Sequence, residues 1–150
     1  MLVLQKPENI NPKNVLLCEK VINTIIQNSY FYRINYSTED YSTNGIYVYL
    51  ELKNVKPKIF YNKIKYDFSI KENKPNLQKI VDLEKNILSC FEYLNKNKKY
   101  SIREQIDQGN FKIFNDKILK NNFILKMSGI WENETEYGLT YKFIGISHQL

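Results

Sequence analysis

The chain has 150 residues, 43% of them hydrophobic and 25% charged, with a formal net charge of +6. That length fits one domain spanning 1–150 that can bury a core without metal or disulfide staples, and the composition excludes a disordered chain. No window approaches the run of about 20 apolar residues that crosses a bilayer, and MLVLQKPENI has no signal-peptide pattern, so the expectation is an intracellular protein with no membrane partner.

The positive charge comes from 20 Lys and only 2 Arg, alongside 19 Asn, 19 Ile and no Ala. This is the imprint of AT-rich codons, so the charge by itself is weak evidence for a polyanionic partner. Cys18 and Cys90 stand alone and the single histidine is His148. No zinc ligand set or His-based triad can be assembled from them, and both thiols are expected to be buried and free.

Residues 1–14, with Pro7 and Pro12, read as an irregular lead-in. From Val15 to Ile26 the apolar spacing fits neither template cleanly, and a helix and a strand followed by a loop are equally defensible. YFYRINYS, residues 30–37, is rich in strand formers and ends in the polar loop TEDYSTN. Gly45 then opens IYVYLEL, where Ile46, Val48, Leu50 and Leu52 share one face and Tyr47, Tyr49 and Glu51 the other. After Pro57 a third strand is expected at 63–70, with Ile64, Tyr66, Phe68 and Ile70 inward and Lys63, Lys65 and Asp67 outward. KIFY just before it is either a separate short strand or the same strand ahead of a bulge.

Leu77, Ile80, Val81, Ile87, Leu88, Phe91 and Leu94 recur at helical spacing, which predicts a helix after Pro75. A shorter helix is expected at 101–109, where Ser101 and Glu104 have capping-box spacing and Gly109 marks a stop. Strands close the chain at 111–114, 123–131 and 137–146. Trp131 shares the parity of Phe123 and Leu125, so it is expected to pack inward under the hairpin. Glu132, Glu134 and Glu136 read as an exposed acidic turn.

Three strands, a helix, then strands joined by a hairpin make an α+β, mainly β chain. The order matches an OB-like five-stranded barrel with a helix between strands 3 and 4, which is the expected fold; a mixed sheet with helices on one face would give the same order. If the apolar faces turn inward, the outward ones carry Arg33 and Asn35, Tyr47 and Tyr49, Lys63 and Lys65, Lys126 and Ser128, and Thr140 and Lys142. Cations neutralise phosphates and phenol rings stack on unpaired bases, so this set predicts a single-strand nucleic-acid groove. The bland alternatives are that the tyrosines are core and the lysines a solvated face. Asp40 with Glu51-Leu52-Lys53 has the acid, acid-x-lysine spacing of metal-dependent nucleases, but such triplets are common in a lysine-rich chain.

Three blocks, FYRINYS…NGIYVYLEL, EQIDQGNFKIF and ILKMSGIWENETEYGLTYKF, resemble a family of small proteins from large DNA viruses of eukaryotes. The resemblance covers most of the chain after residue 30. It implies a viral OB-fold single-stranded-DNA-binding protein serving DNA replication or recombination beside viral replication proteins, in the host cytoplasm (viral factory) or nucleus. The acidic tail common in such proteins has no counterpart in GISHQL, which puts tail-mediated recruitment in doubt. The expectation is a non-catalytic DNA-binding protein with no cofactor and no metal, in which Arg33, Tyr47, Tyr49, Lys63, Lys65, Lys126 and Lys142 meet the strand. A viral protein-protein interaction module is the alternative, and a metal-dependent nuclease the remote one.

Overall fold

A computed structural model describes residues 3–114 and 122–146; His148 lies outside them. In chain order the strands begin with β1 (Leu4–Gln5), β2 (Val15–Ile22), β3 (Tyr30–Ser37), β4 (Ser42–Asn44), β5 (Ile46–Glu51), β6 (Lys56–Ile59) and β7 (Ile64–Asp67). Helix α1 (Lys74–Ser89), β8 (Asn97–Lys99), helix α2 (Ser101–Asp107), β9 (Asn110–Ile113), β10 (Asn122–Glu132) and β11 (Glu136–Gly145) complete the described elements. The lead-in is partly ordered: Pro7 and Pro12 each start a 3-10 turn, where a residue without an N–H leaves no donor unpaired.

The segment left open between helix and strand, 15–26, forms a strand over Val15–Ile22, paired antiparallel with β3. Its pattern is blurred because β2 lies beyond β3 at the margin of the sheet and most of it stays outside the core. Val15 is buried at the base, whereas Leu16, Val21 and Ile22 remain exposed. A register shift between Leu17 and Lys20 breaks the alternation further.

β10 organises the main sheet. One edge pairs antiparallel with β11, which carries β8 in parallel beyond it. The other edge is shared by two strands in line: Tyr30–Arg33 of β3 lie opposite Glu132–Gly129, and Ile46–Glu51 of β5 lie opposite Met127–Asn122. Between them, residues 34–45 leave the edge of β10 as an inserted hairpin made by the second half of β3 and β4. The chain returns at Gly45, whose N–H donates to the Ile34 carbonyl at 2.8 Å with φ +81. A side chain there would be strained, and its Cβ would lie 3.0 Å from the Met127 carbonyl oxygen.

β6, β7 and β9 form a second, three-stranded sheet. Its inner residues Ile64, Tyr66, Phe111 and Ile113 are buried against the inner face of the main sheet. Phe111 stacks on Phe143 at 4.2 Å between centroids and meets Phe123 edge-on at 4.9 Å, while Tyr66 meets Phe123 at 5.0 Å. Buried rings of this size dominate core energetics, at about 1.5–3 kcal/mol each. The buried apolar residues of both sheets and both helices belong to one cluster. The α+β, mainly β class therefore holds, but the described strands divide into two sheets and do not close into a barrel.

The long helix ends at Ser89, and a 3-10 turn at Glu92–Leu94 continues the apolar stripe until Asn95 enters the left-handed region at φ 56. The expected capping box at Ser101 does not form. Glu84 takes its place from α1: fully buried, it accepts the backbone N–H groups of Ile102 and Arg103 at 2.8 and 3.0 Å. Its burial pushes the carboxyl pKa up, against the pull of those two donors. Ile70, expected inward, lies past the end of β7 and is exposed, as is Cys90; Cys18 is half-buried, and both thiols are free.

Candidate nucleic-acid interface

Alternation along the central strands puts Ile46, Val48 and Leu50 of β5, Phe123, Leu125 and Met127 of β10, and Leu139 and Phe143 of β11 into the core. The residues between them form the outer face. Across it, Tyr47, Lys126 and Lys142 are direct neighbours on three adjacent strands. The Lys126 ammonium lies 5.5 Å from the centre of the Tyr47 ring, within cation–π range. Tyr49, Ile124 and Ile144 make the next row. The Tyr49 hydroxyl donates to Asn122 Oδ1 at 2.8 Å, and burial raises its pKa, so the half-buried phenol stays protonated.

A bulge between Met127 and Gly129 interrupts this alternation. One extra residue on β10 reverses its parity. Ile130 and Glu132 turn inward, and Trp131 turns outward, where sequence parity places it inside. Beyond the bulge, Arg33, Gly129 and Thr140 form one row, and Phe31, Trp131 and Gly138 the next. The two glycines let the rings lie flat on the strands. A Cβ on Gly129 would come within 2.4 Å of the Phe31 ring and of the Tyr32 carbonyl oxygen, and one on Gly138 within 2.8 Å of the Trp131 ring. Phe31 and Trp131 are half-buried and belong to the same face as Tyr47 and Tyr49.

Of the residues expected to meet a strand, Arg33, Tyr47, Tyr49, Lys126 and Lys142 thus share this face, with Thr140 among them. Lys63 and Lys65 do not join them. β7 presents Tyr66 to the main sheet, so Lys65, its neighbour in the alternation, points out of the opposite side of the molecule. Asn35 belongs to the inserted hairpin, between Leu16 and Asn44.

The acidic turn also differs from expectation. Glu134 is exposed and Glu136 half-buried, but Glu132 is only 2% exposed. It accepts the Tyr32 hydroxyl at 2.6 Å and pairs with Lys20 at 3.0 Å and Lys96 at 2.9 Å. Burial opposes its ionisation, yet Tyr32, Lys96 and Lys20 outweigh that and hold its pKa at about 2. The same burial and hydrogen bond push the Tyr32 phenol far up. This knot ties β2, β3 and the approach to β8 onto the end of β10, so it fixes the strand that carries Phe31 and Arg33.

Asp40 lies in the turn of the inserted hairpin, and Glu51 and Lys53 are exposed at the end of β5. There Asn76 binds the Glu51 backbone carbonyl and Asn73 the Lys53 backbone. Among the described residues no group of three or more His, Cys, Asp or Glu side chains is arranged to hold a metal ion, and no helix is long and apolar enough to cross a membrane.

Fold and face together define a mainly β, α+β protein that presents aromatic rings and cations on one open sheet surface. The chain matches no family model, no curated protein and no solved structure.

Proposed function

We propose that this protein binds single-stranded DNA along the outer face of its main sheet, without catalysis. The observation that carries the reading is the row Tyr47, Lys126 and Lys142, continued past the bulge by Arg33, Phe31 and Trp131. Rings from three strands interleaved with cations are what an unpaired strand needs: stacking contributes about 1–3 kcal/mol per base, and each cation releases counterions from a phosphate. The OB-like part of the proposal is this mode of binding, an open strand face used as a platform, rather than barrel closure. The resemblance to small proteins of large DNA viruses gives the setting: coating exposed strands during viral replication or recombination, beside viral replication proteins in the infected cell.

Fluorescence anisotropy with labelled oligo(dT) tests this. Three cations on the face set a log–log salt slope of about −2. Replacing Lys126 with Gln removes one contact, which weakens binding and flattens the slope by about 0.7. Absence of binding by the wild-type protein would favour a protein-interaction module instead. That second reading has its own support in the tip of the β2–β3 hairpin, where Ile22 is 76% and Ile25 92% exposed.

A further inference from the structure

The lysines that miss the main face make a surface of their own. On the outer side of the three-stranded sheet, Lys58, Lys65 and Lys112 lie directly opposite one another on β6, β7 and β9. Like charges in direct cross-strand register destabilise a sheet. The next row, Lys56, Asp67 and Asn110, supplies one carboxylate, 3.7 Å from Lys65 and 3.9 Å from Lys58. One partly exposed Asp67 cannot neutralise four lysines.

At the other end the alternation runs one residue past the strands to Phe60, Lys63 and Phe114. The Phe60 N–H donates to the Lys63 carbonyl at 2.9 Å, and Phe114 is 76% exposed. A cation row that one carboxylate compensates only in part, bordered by exposed rings, repeats on a different sheet the chemistry of the main face. The two surfaces lie back to back, because the inner faces of their sheets meet at Phe111, Phe123 and Phe143.

We infer that the outer face of the β6–β7–β9 sheet is a second site for single-stranded nucleic acid, so that one protein molecule holds two strands at once. This rests on the function proposed above and extends it from coating one strand to bridging two. Lys58, Lys65 and Lys112 neutralise the second backbone, and Phe60 and Phe114 offer faces to its bases. Two strands held by one molecule are brought to high local concentration, the condition that speeds pairing of complementary strands.

The test mixes the full chain with two non-complementary oligo(dT)s of about 12 nucleotides, one carrying a donor dye and one an acceptor. The wild-type protein is expected to produce energy transfer at ratios near two strands per protein. The triple variant Lys58→Gln, Lys65→Gln, Lys112→Gln is expected to lose at least nine-tenths of the transfer while its affinity for the first strand changes less than threefold. Its urea midpoint, unchanged or raised once the like charges are gone, verifies folding. The inference is overturned if wild-type protein saturates at one strand per molecule, or if the triple variant bridges as well as wild type, as a dimer using only its main faces would. Failure of the wild-type protein to bind any oligonucleotide overturns the primary reading, and this one with it.

Discussion

Glu132→Gln is the most informative single change for the architecture of the main face. The carboxylate is buried among Tyr32, Lys20 and Lys96, with its pKa held at about 2 against an ordinary value of 4.5. A displacement of that size corresponds to roughly 3 kcal/mol, reduced toward about 2–3 because both lysines remain partly solvated. The folded pKa lies below the unfolded one. The stabilisation is therefore complete above about 4.5 and is lost as pH falls toward about 2. Between those limits the unfolded chain binds the extra proton, so this group adds a slope of about 1.4 kcal/mol per pH unit. Urea unfolding followed by the fluorescence of Trp131 measures it. At pH 7 the Gln variant should unfold about 1–2 M urea earlier, with an unchanged m value. At pH 2 the two proteins should converge. A difference that stays constant across this range, or no difference at neutral pH, would refute the role given to the Glu132 carboxylate.

Gly129→Ala should cost about 1–3 kcal/mol and weaken oligonucleotide binding, because the new methyl collides with the Phe31 ring and the Tyr32 carbonyl; urea unfolding and anisotropy read the two effects. Glu84→Ala strips the buried Ile102 N–H and the part-buried Arg103 N–H of their acceptor and should cost about 2–4 kcal/mol. Glu84→Gln keeps an acceptor and should cost far less at pH 7. Since burial raises the Glu84 pKa, its contribution runs opposite to that of Glu132: stability declines as pH rises above the unfolded carboxylate value, and either substitution should remove that decline from a pH series of unfolding curves.

Much of this architecture is legible from alternation alone, for a physical reason. β5 and β10 have one face in the core and one outside, so Ile46, Val48 and Leu50, and Phe123 and Leu125, announce their direction. Alternation assigns a residue to a side of its strand, but not a strand to a sheet. Lys65 does point outward, as its parity requires, yet it points out of a different sheet from Lys126, since only the pairing of β7 with β6 and β9 separates them. β2 is ambiguous in sequence because a strand at the margin of the sheet, largely outside the core, has no consistently buried face.

A single residue misdirects the parity of Trp131. The bulge before Gly129 resets it, and a lone glycine inside a strand pattern is the available warning. Glu132 offers no such signal. Tyr32 is 100 residues away in the chain and Lys96 is 36, so only the folded molecule brings its partners together. The cap on α2 is missed for the same reason: Ser101 and Glu104 have the right local spacing, but Glu84 reaches the open N–H groups from another helix.

Binding in the proposed mode stacks a strand on the face bearing Trp131, Phe31 and Tyr47 while Arg33, Lys126 and Lys142 neutralise its phosphates. Quenching of the single tryptophan during titration with oligo(dT), repeated between about 50 and 200 mM salt, tests both halves together. The expected result is saturable quenching that is micromolar or tighter at the lower salt and weaker by about 20-fold at the higher. Tryptophan emission indifferent to the oligonucleotide, or binding that does not respond to salt, would contradict it.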